Sequence, residues 1–355
     1  MYTIPMSRPH THKIIEPGPL SRRSRRRFAR VGFGALCIIG VYLVFIFATA
    51  IIDAVRPPPA LLLGATFSDQ YARFLGLDPH AAFTAVLDDL HIRRFRIPAY
   101  WEDIEPRPGE YHFEILDWMM DEAAKRDAHV ILAVGFKLPR WPECHAPAWV
   151  HELPTEERKA HTLVFIRTVV NRYRTHPALA LWQVENEPLL ESFGVCPKPD
   201  REFLKQEVSL VRALDDHPIV VTESGELSTW LRTVQISDIL GISMYRVSWS
   251  AVLGYIYYPL SPAFYRLRAQ AVGTLTQKIF VSELQAEPWV PAGILNASLA
   301  EQYQSMNPKR LTNNINFVRR AGFDSAYLWG VEWWYWLKVK QNDPTLWDTG
   351  RTLFR

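Results

Sequence analysis

The sequence predicts an α/β fold, a (β/α)8 TIM barrel preceded by a single N-terminal transmembrane helix. Two patterns carry this reading. Eight short apolar runs alternate with helical patterns between about residues 61 and 336. Strands alternating with helices imply a parallel sheet, and eight of them imply closure into a barrel. Upstream, Val31 to Ile52 is an apolar stretch of 22 residues without a charge. A doubly wound open sheet would carry a Gly-rich phosphate loop after an early strand. Here the first strand leads into Phe67-Ser68-Asp69 instead.

Residues 1–30 hold eight basic side chains (Arg8, Lys13, Arg22, Arg23, Arg25, Arg26, Arg27, Arg30) against one acid, Glu16. This tail therefore carries +7, and the rest of the chain −4, of a net charge of +3. A basic tail on a mildly acidic body argues against a nucleic-acid-binding domain and points to a membrane-proximal segment. At about 1.5 Å rise per residue the apolar run spans a bilayer core. Arginines before it and Asp53 after it place the N-terminus in the cytoplasm and the remainder outside. Ala48-Thr49-Ala50 keeps open the alternative of a cleaved signal peptide. Residues 1–30 read as a disordered cytoplasmic tail, 31–52 as the anchor, 53–60 as a stiff linker around Arg56-Pro57-Pro58-Pro59, and 61–355 as the barrel domain.

Within the barrel domain the strands are expected at 61–66, 94–97, 130–134, 179–184, 219–222, 239–244, 279–281 and 326–329. Helices are expected at 81–90, 114–126, about 155–173, about 201–214, near 263–275 and near 309–321. Hydrophobic residues make up 48% of the chain, ample for a core. Most of the 13 Trp and 14 Tyr are expected to fill the core, while others suit a surface on which sugar rings stack.

The C-terminal ends of TIM-barrel strands form the active-site rim. Strand two ends in Arg96-Ile97-Pro98-Ala99-Tyr100-Trp101, and strand four in Glu185-Asn186-Glu187-Pro188. Strand five ends in Glu223, strand six in Tyr245, strand seven in Ser282-Glu283-Leu284-Gln285, and strand eight in Trp329-Gly330-Val331-Glu332-Trp333-Trp334. Carboxyls ending strands four and seven face one another across the mouth. This is what a retaining glycosidase needs: one carboxyl protonates the leaving oxygen and the other attacks the anomeric carbon. There is no HExxH and no cluster of Cys and His at ligand spacing, so no metal or cofactor is expected.

Trp182-Gln183-Val184-Glu185-Asn186-Glu187-Pro188 resembles the Asn-Glu-Pro strand-four signature of the clan A glycoside hydrolases. The resemblance covers about residues 61–336. It implies Glu187 as acid/base, Asn186 as the contact to the sugar 2-hydroxyl, and Glu283 in Val281-Ser282-Glu283 as nucleophile. It further implies Arg96 and Tyr245 as the nucleophile's partners and Trp329 as the floor of the −1 sugar site. Trp101 to Tyr111 resembles the segment that follows strand two in the same clan. Glu223, Glu332, Trp333, Trp334 and Trp141 are further candidates for sugar contacts. The histidines that many clan members carry near the −1 site have no clear counterpart; His112 and His145 are nearest and read as loop residues. The expected partner is a polysaccharide or oligosaccharide. A transglycosidase using the same two carboxyls, or an inactive carbohydrate-binding barrel, are the alternatives. Sugar identity, linkage, endo or exo action and oligomeric state stay open at this point.

Cys37 falls in the apolar run, whereas Cys144 and Cys196 follow strands three and four. Sequential strands are adjacent in a TIM barrel, so these two loops emerge side by side. A disulfide between them is expected, in a compartment that permits one.

Overall fold

The computed structural model describes residues 60–354 continuously, and before them residues 33, 34, 37, 40–42 and 44, which are helical. The chain divides into two units, Met1–Ile52 and Asp53–Arg355. Among the described residues no helix is long and apolar enough to cross a membrane. Most of the expected anchor (31–52), all of the tail (1–30) and most of the linker (53–60) lie outside the described residues.

The second unit is a TIM barrel. Its strands are β1 (Leu62–Thr66), β2 (Arg94–Pro98), β3 (His129–Val134), β4 (Leu179–Val184), β5 (Ile219–Glu223), β6 (Ile239–Met244), β9 (Lys278–Gln285) and β10 (Ser325–Trp329). All pair in parallel, in the closed order β1-β10-β9-β6-β5-β4-β3-β2. A hairpin that the sequence reading did not anticipate, β7 (Val247–Ser250) with β8 (Gly254–Tyr257), follows β6.

The outer helices are α1 (Pro79–Asp88), α2 (Glu114–Ala124), α3 (Thr155–Tyr173), α4 (Arg201–Leu214), α5 (Pro262–Val272), α6 (Pro308–Ala321), α7 (Val331–Lys340) and α8 (Thr345–Leu353). Local chemistry sets their ends. Asp78 and Asn307 cap α1 and α6 just before a proline, so each begins at that proline, earlier than apolar periodicity alone suggests. Asp200 accepts from the backbone N–H of Glu202 and Phe203 to start α4, which buries Leu204, Glu207, Val208 and Val211 along one face. Gly322 closes α6 at φ +90°, a conformation that favours glycine.

The barrel interior has two layers. Ile131, Val220, Ile239, Phe280 and Tyr327 pack together as the lower, apolar layer. Side chains on a strand alternate between faces, so residues two positions further on share this interior. From β5, β6 and β10 those are Thr222, Gly241 and Trp329, and Gln183 and Arg96 join them from β4 and β2. The interior thus turns polar toward the strands' C-terminal ends.

β9 breaks the alternation. Val281 pairs with Ile242 and Ala326, but Glu283 pairs with Ser243 and Leu284 with Leu328. One extra residue is accommodated around Ser282, a β-bulge, which re-aims the side chains that follow. With Phe280 inside and Val281 outside, strict alternation would turn Glu283 away from the mouth. The bulge turns it in. Gly241 makes the room: a Cβ there would lie 2.9 Å from both Ser282 Cβ and Thr222 Cγ2. Gly241→Ala is therefore expected to destabilise the fold by about 1–3 kcal/mol, the usual cost of overpacking. Urea unfolding would show this, with a drop in activity as Ser282 and Glu283 are displaced. Wild-type stability and activity would refute the packing role.

Candidate active site

The polar layer is organised around Arg96, which has no exposed surface. Its Nη1 donates to Glu283 Oε1 at 2.8 Å, its Nη2 to Asn186 Oδ1 at 2.5 Å, and its Nε to Gln183 Oε1 at 2.6 Å. Tyr245 donates its hydroxyl to the other Glu283 oxygen at 3.1 Å. Glu187 accepts from Ser243 Oγ at 2.7 Å. Thr222 Oγ1 accepts from the Glu187 backbone N–H at 2.9 Å and donates to Asn186 Oδ1 at 3.1 Å. Glu187, Glu283, Asn186, Arg96 and Tyr245 thus form one connected cluster at the strand ends.

The turn that presents Glu187 is unusual. Glu185 and Glu187 have φ of +60° and +42°, a region that non-glycine residues enter at a cost of order 1–3 kcal/mol each. Backbone and side-chain bonds hold it. The Glu185 carboxylate accepts from the N–H groups of Phe136 and Lys137, Asn186 N–H donates to Lys137 O, and Lys137 Nζ reaches the carbonyls of Glu187 and Leu190. The Sγ atoms of Cys144 and Cys196 are bonded, with Cα atoms 5.4 Å apart, and join the loops after β3 and β4.

Electrostatics separate the two carboxyls. Burial, then the charges of Glu283 and Glu143, push Glu187 up to about 8, so it holds its proton at neutral pH. Glu283 has both oxygens occupied by donors from Arg96 and Tyr245.

A second cluster abuts the first. The Trp329 indole donates to Glu287 Oε1 at 2.8 Å. The Arg140 guanidinium lies 3.6 Å from the centre of the Tyr71 ring and 4.1 Å from that of Trp329. Arg140 also pairs with Glu287 at 2.5 Å and Glu332 at 3.3 Å. Glu332 has no exposed surface, accepts from Ser68 N–H, and burial pushes it up to about 7.

Several expected contacts lie elsewhere. Trp101 is buried behind the strand ends, stacked on Phe165 at 4.9 Å, with its indole N–H on Glu105. Trp333 and Trp334 are buried in α7, bonded to Gln302 and to the Ala286 carbonyl. Glu223 is buried among the residues that follow β5, near Ser228 and Thr233, because its neighbour Thr222 takes the inward position. Trp141, by contrast, is 72% exposed. His145 is not a surface residue but is buried against Tyr100, its ring nitrogens at 3.0 Å from Glu102 and 2.9 Å from the Arg140 carbonyl, whereas His112 is an exposed loop residue. Arg140, Tyr71, Glu287, Ser243 and Thr222 are site residues that sequence reasoning did not find. Arg140 and Tyr71 follow strands three and one, whose ends carry no family motif, and Thr222 and Ser243 follow from strand alternation.

A beta-galactosidase family model (glycoside hydrolase family 42) matches residues 85–162. Beta-galactosidase Pbg of Clostridium perfringens is 29% identical over 132 residues, which are 30% of this chain and 18% of that protein. A beta-galactosidase of an Arthrobacter species is 34% identical over 121 residues, 28% and 17% of the respective chains. The chain thus matches less than a fifth of the length of these relatives. In fold it is similar to native xylanase 10B from Thermotoga maritima, with a TM-score of 0.54 and 15% identity, covering 76% of this chain and 82% of that one. The site defines a class: a TIM barrel with carboxyl side chains gathered from the ends of its fourth and seventh barrel strands. The matches are divided between beta-galactosidases, similar in sequence over part of this chain, and a xylanase, similar in fold.

Carbon-13 carboxyl NMR is expected to show Glu187 titrating near 8. In Glu283→Gln its midpoint should fall toward the ordinary carboxylate range, because one of the raising charges is gone. An unchanged midpoint would contradict the coupling.

Proposed function

We propose that the chain is a retaining glycoside hydrolase that cleaves β-linked glycans by double displacement through a covalent glycosyl-enzyme intermediate. One observation carries this reading: a single buried cluster holds one carboxyl pushed up to about 8 beside another whose oxygens are both held by donors. Glu283 attacks the anomeric carbon while Glu187 gives its proton to the leaving oxygen. Water then attacks the intermediate, with Glu187 taking its proton. Once Glu283 is glycosylated its charge is gone, one of the contributions that raise Glu187 after burial itself, so Glu187 becomes ready to act as base. Asn186 meets the sugar 2-hydroxyl, and Trp329 lies under the ring. The names of the curated relatives make β-galactosides the first substrates to try.

Glu283→Ala is expected to abolish turnover, with azide restoring part of it as a product of inverted configuration, since the small anion fills the vacated space. Near-native rates in this variant would remove the nucleophile assignment. Glu187→Gln should slow substrates with poor leaving groups far more than activated aryl glycosides, because general acid catalysis is worth about 10²–10⁴-fold. A 2-fluoroglycoside probe should label Glu283; an inactive binding barrel would take no label.

The same reading places residues 1–30 in the cytoplasm, residues 31–52 in the membrane as an uncleaved anchor, and the barrel outside. The +7 tail, the uncharged run and the bonded pair Cys144–Cys196 support it, since disulfides persist in oxidising compartments. Protease added to spheroplasts is expected to digest the barrel and spare the tail. A protected barrel would reverse the topology, and a barrel found free in the medium would favour signal cleavage.

A further inference from the structure

We propose that the site is a pocket closed on its glycone side, so that the enzyme removes single neutral sugars from non-reducing ends and does not cut within chains. This rests on the hydrolase reading above and specifies its mode of action. The leaving oxygen must lie beside Glu187, at the end of β4. The sugar being transferred therefore points away from β4, over Trp329 at the end of β10. Any further sugar on its non-reducing side would have to run out over the ends of β10, β1 and β3.

Those ends are tied together there. Tyr71 follows β1, Arg140 follows β3, Glu287 follows β9, and Trp329 and Glu332 belong to β10 and α7. The Arg140 guanidinium sits between the Tyr71 and Trp329 rings and bonds Glu287 and Glu332, while Glu287 also accepts from the Trp329 indole. Arg140 is only 7% exposed. Cation–π contacts and buried ion pairs of this kind hold a side chain far more firmly than a surface arginine is held.

The backbone under Arg140 is as firmly held as its side chain. Its φ is +86°, in the left-handed region, so the fold tolerates strain to keep it there. Its carbonyl accepts from Glu143 N–H at 2.7 Å and lies 2.9 Å from His145 Nε2. The bonded pair Cys144–Cys196 anchors the same loop. The wall is thus a built partition, and a sugar beyond the −1 site would have to break it.

The opposite side differs. Beyond Tyr245, the half-buried rings of Trp289 and Phe193 meet edge-on at 5.9 Å, and Trp289 meets Tyr245 at 5.6 Å. They make an aromatic lane beside Glu187 for the leaving group. Arg140 pairs through its terminal nitrogens with two carboxyls, Glu287 and Glu332, so the wall carries no excess positive charge to draw an acidic sugar, which is why a neutral glycone is specified.

The test uses the full chain with β-linked pentasaccharides of galactose, glucose, xylose and mannose, each labelled at the reducing end, and with the matching p-nitrophenyl monoglycosides. The wild type is expected to shorten one labelled chain a single sugar at a time and to hydrolyse the corresponding monoglycoside. In Arg140→Ala the ratio of internal to terminal cuts should rise about tenfold or more, within the range that contacts in a binding pocket confer. Labelled di- or trisaccharide as the first wild-type product overturns the proposal and leaves the hydrolase reading intact. A wild type that turns over none of these substrates removes both. If Arg140→Ala fails to fold, the wild-type ladder alone decides.

Discussion

A guanidinium with no exposed surface, inside a barrel, is the constraint on which the rest of the site depends. A buried charge left unpaired costs several kcal/mol, and removing one partner of a buried pair typically costs about 3–5 kcal/mol. Arg96 therefore requires a nearby carboxylate and further acceptors, and it finds them on β9 and β4: Glu283, Asn186 and Gln183. The same bonds that satisfy Arg96 fix Glu283 and Asn186 relative to one another. Stability and positioning are one requirement here. A substitution that shifts any of these residues exposes the fold to the cost of an uncompensated charge as well as to loss of geometry.

Glu187 is held from a different direction. It stands at the end of a turn with two non-glycine residues in left-handed conformation, and such a turn persists only where its surroundings over-determine it. The loop after β3 supplies that restraint through the backbone N–H groups of Phe136 and Lys137, the Lys137 ammonium, and the covalent tie from Cys144 to Cys196. Behind the turn, Glu185 lies next to Glu207 of α4. Burial, and then the charge of Glu185, raise Glu207 well above the ordinary range, and burial raises Glu185 too. The Glu185 carboxyl faces the backbone donors of the β3 loop. The loop which restrains the turn is the one that carries Arg140, so Glu187 and the Arg140 cluster share a single support.

The barrel and the two facing carboxyls were legible because they depend on short-range pattern. Each barrel strand is a compact apolar run, and Glu187, Asn186, Gln183 and Arg96 lie on or next to strands in recognisable order. Alternation explains what was misplaced. Glu223 ends its strand as Glu187 does, but Thr222 occupies the inward position, so Glu223 faces the segment that follows. The reverse holds at Glu283, where simple alternation fails and only the bulge at Ser282 brings the side chain inward. A bulge leaves almost no mark in a single sequence, apart from a glycine such as Gly241 opposite it. The Arg140 cluster was hidden because its members come from four separate strand ends, and nothing local marks an arginine that two rings and two carboxyls will enclose. Trp333 and Trp334 misled for a related reason: a run of aromatics beside a strand end suits a sugar platform and a buried helix equally well, and here the helix α7 claims them.

Protonation gives the site its last constraint. Glu187, Glu332 and Glu226 are all pushed up, chiefly by burial, to about 8, 7 and 7. A carboxyl whose folded pKa exceeds its unfolded value favours the native state fully below the unfolded pKa. That contribution declines as pH rises through the folded value. Near neutrality these three groups therefore already oppose folding to some extent, because the unfolded chain would ionise them freely. Under the proposed mechanism the opposition is useful at Glu187 alone, where a proton held at neutral pH is what a general acid requires. At Glu332 and Glu226 the compensation is structural. Arg140 stands against Glu332, and the Tyr265 hydroxyl and the Tyr245 backbone N–H donate to Glu226. The groups that offset the burial of Glu332 and Glu226 also contact Trp329 or belong to Tyr245. As the pH rises through 7 to 8 all three ionise within the fold, so loss of the Glu187 proton and loosening of the residues around Trp329 and Tyr245 fall in one pH window, even though they arise from different side chains.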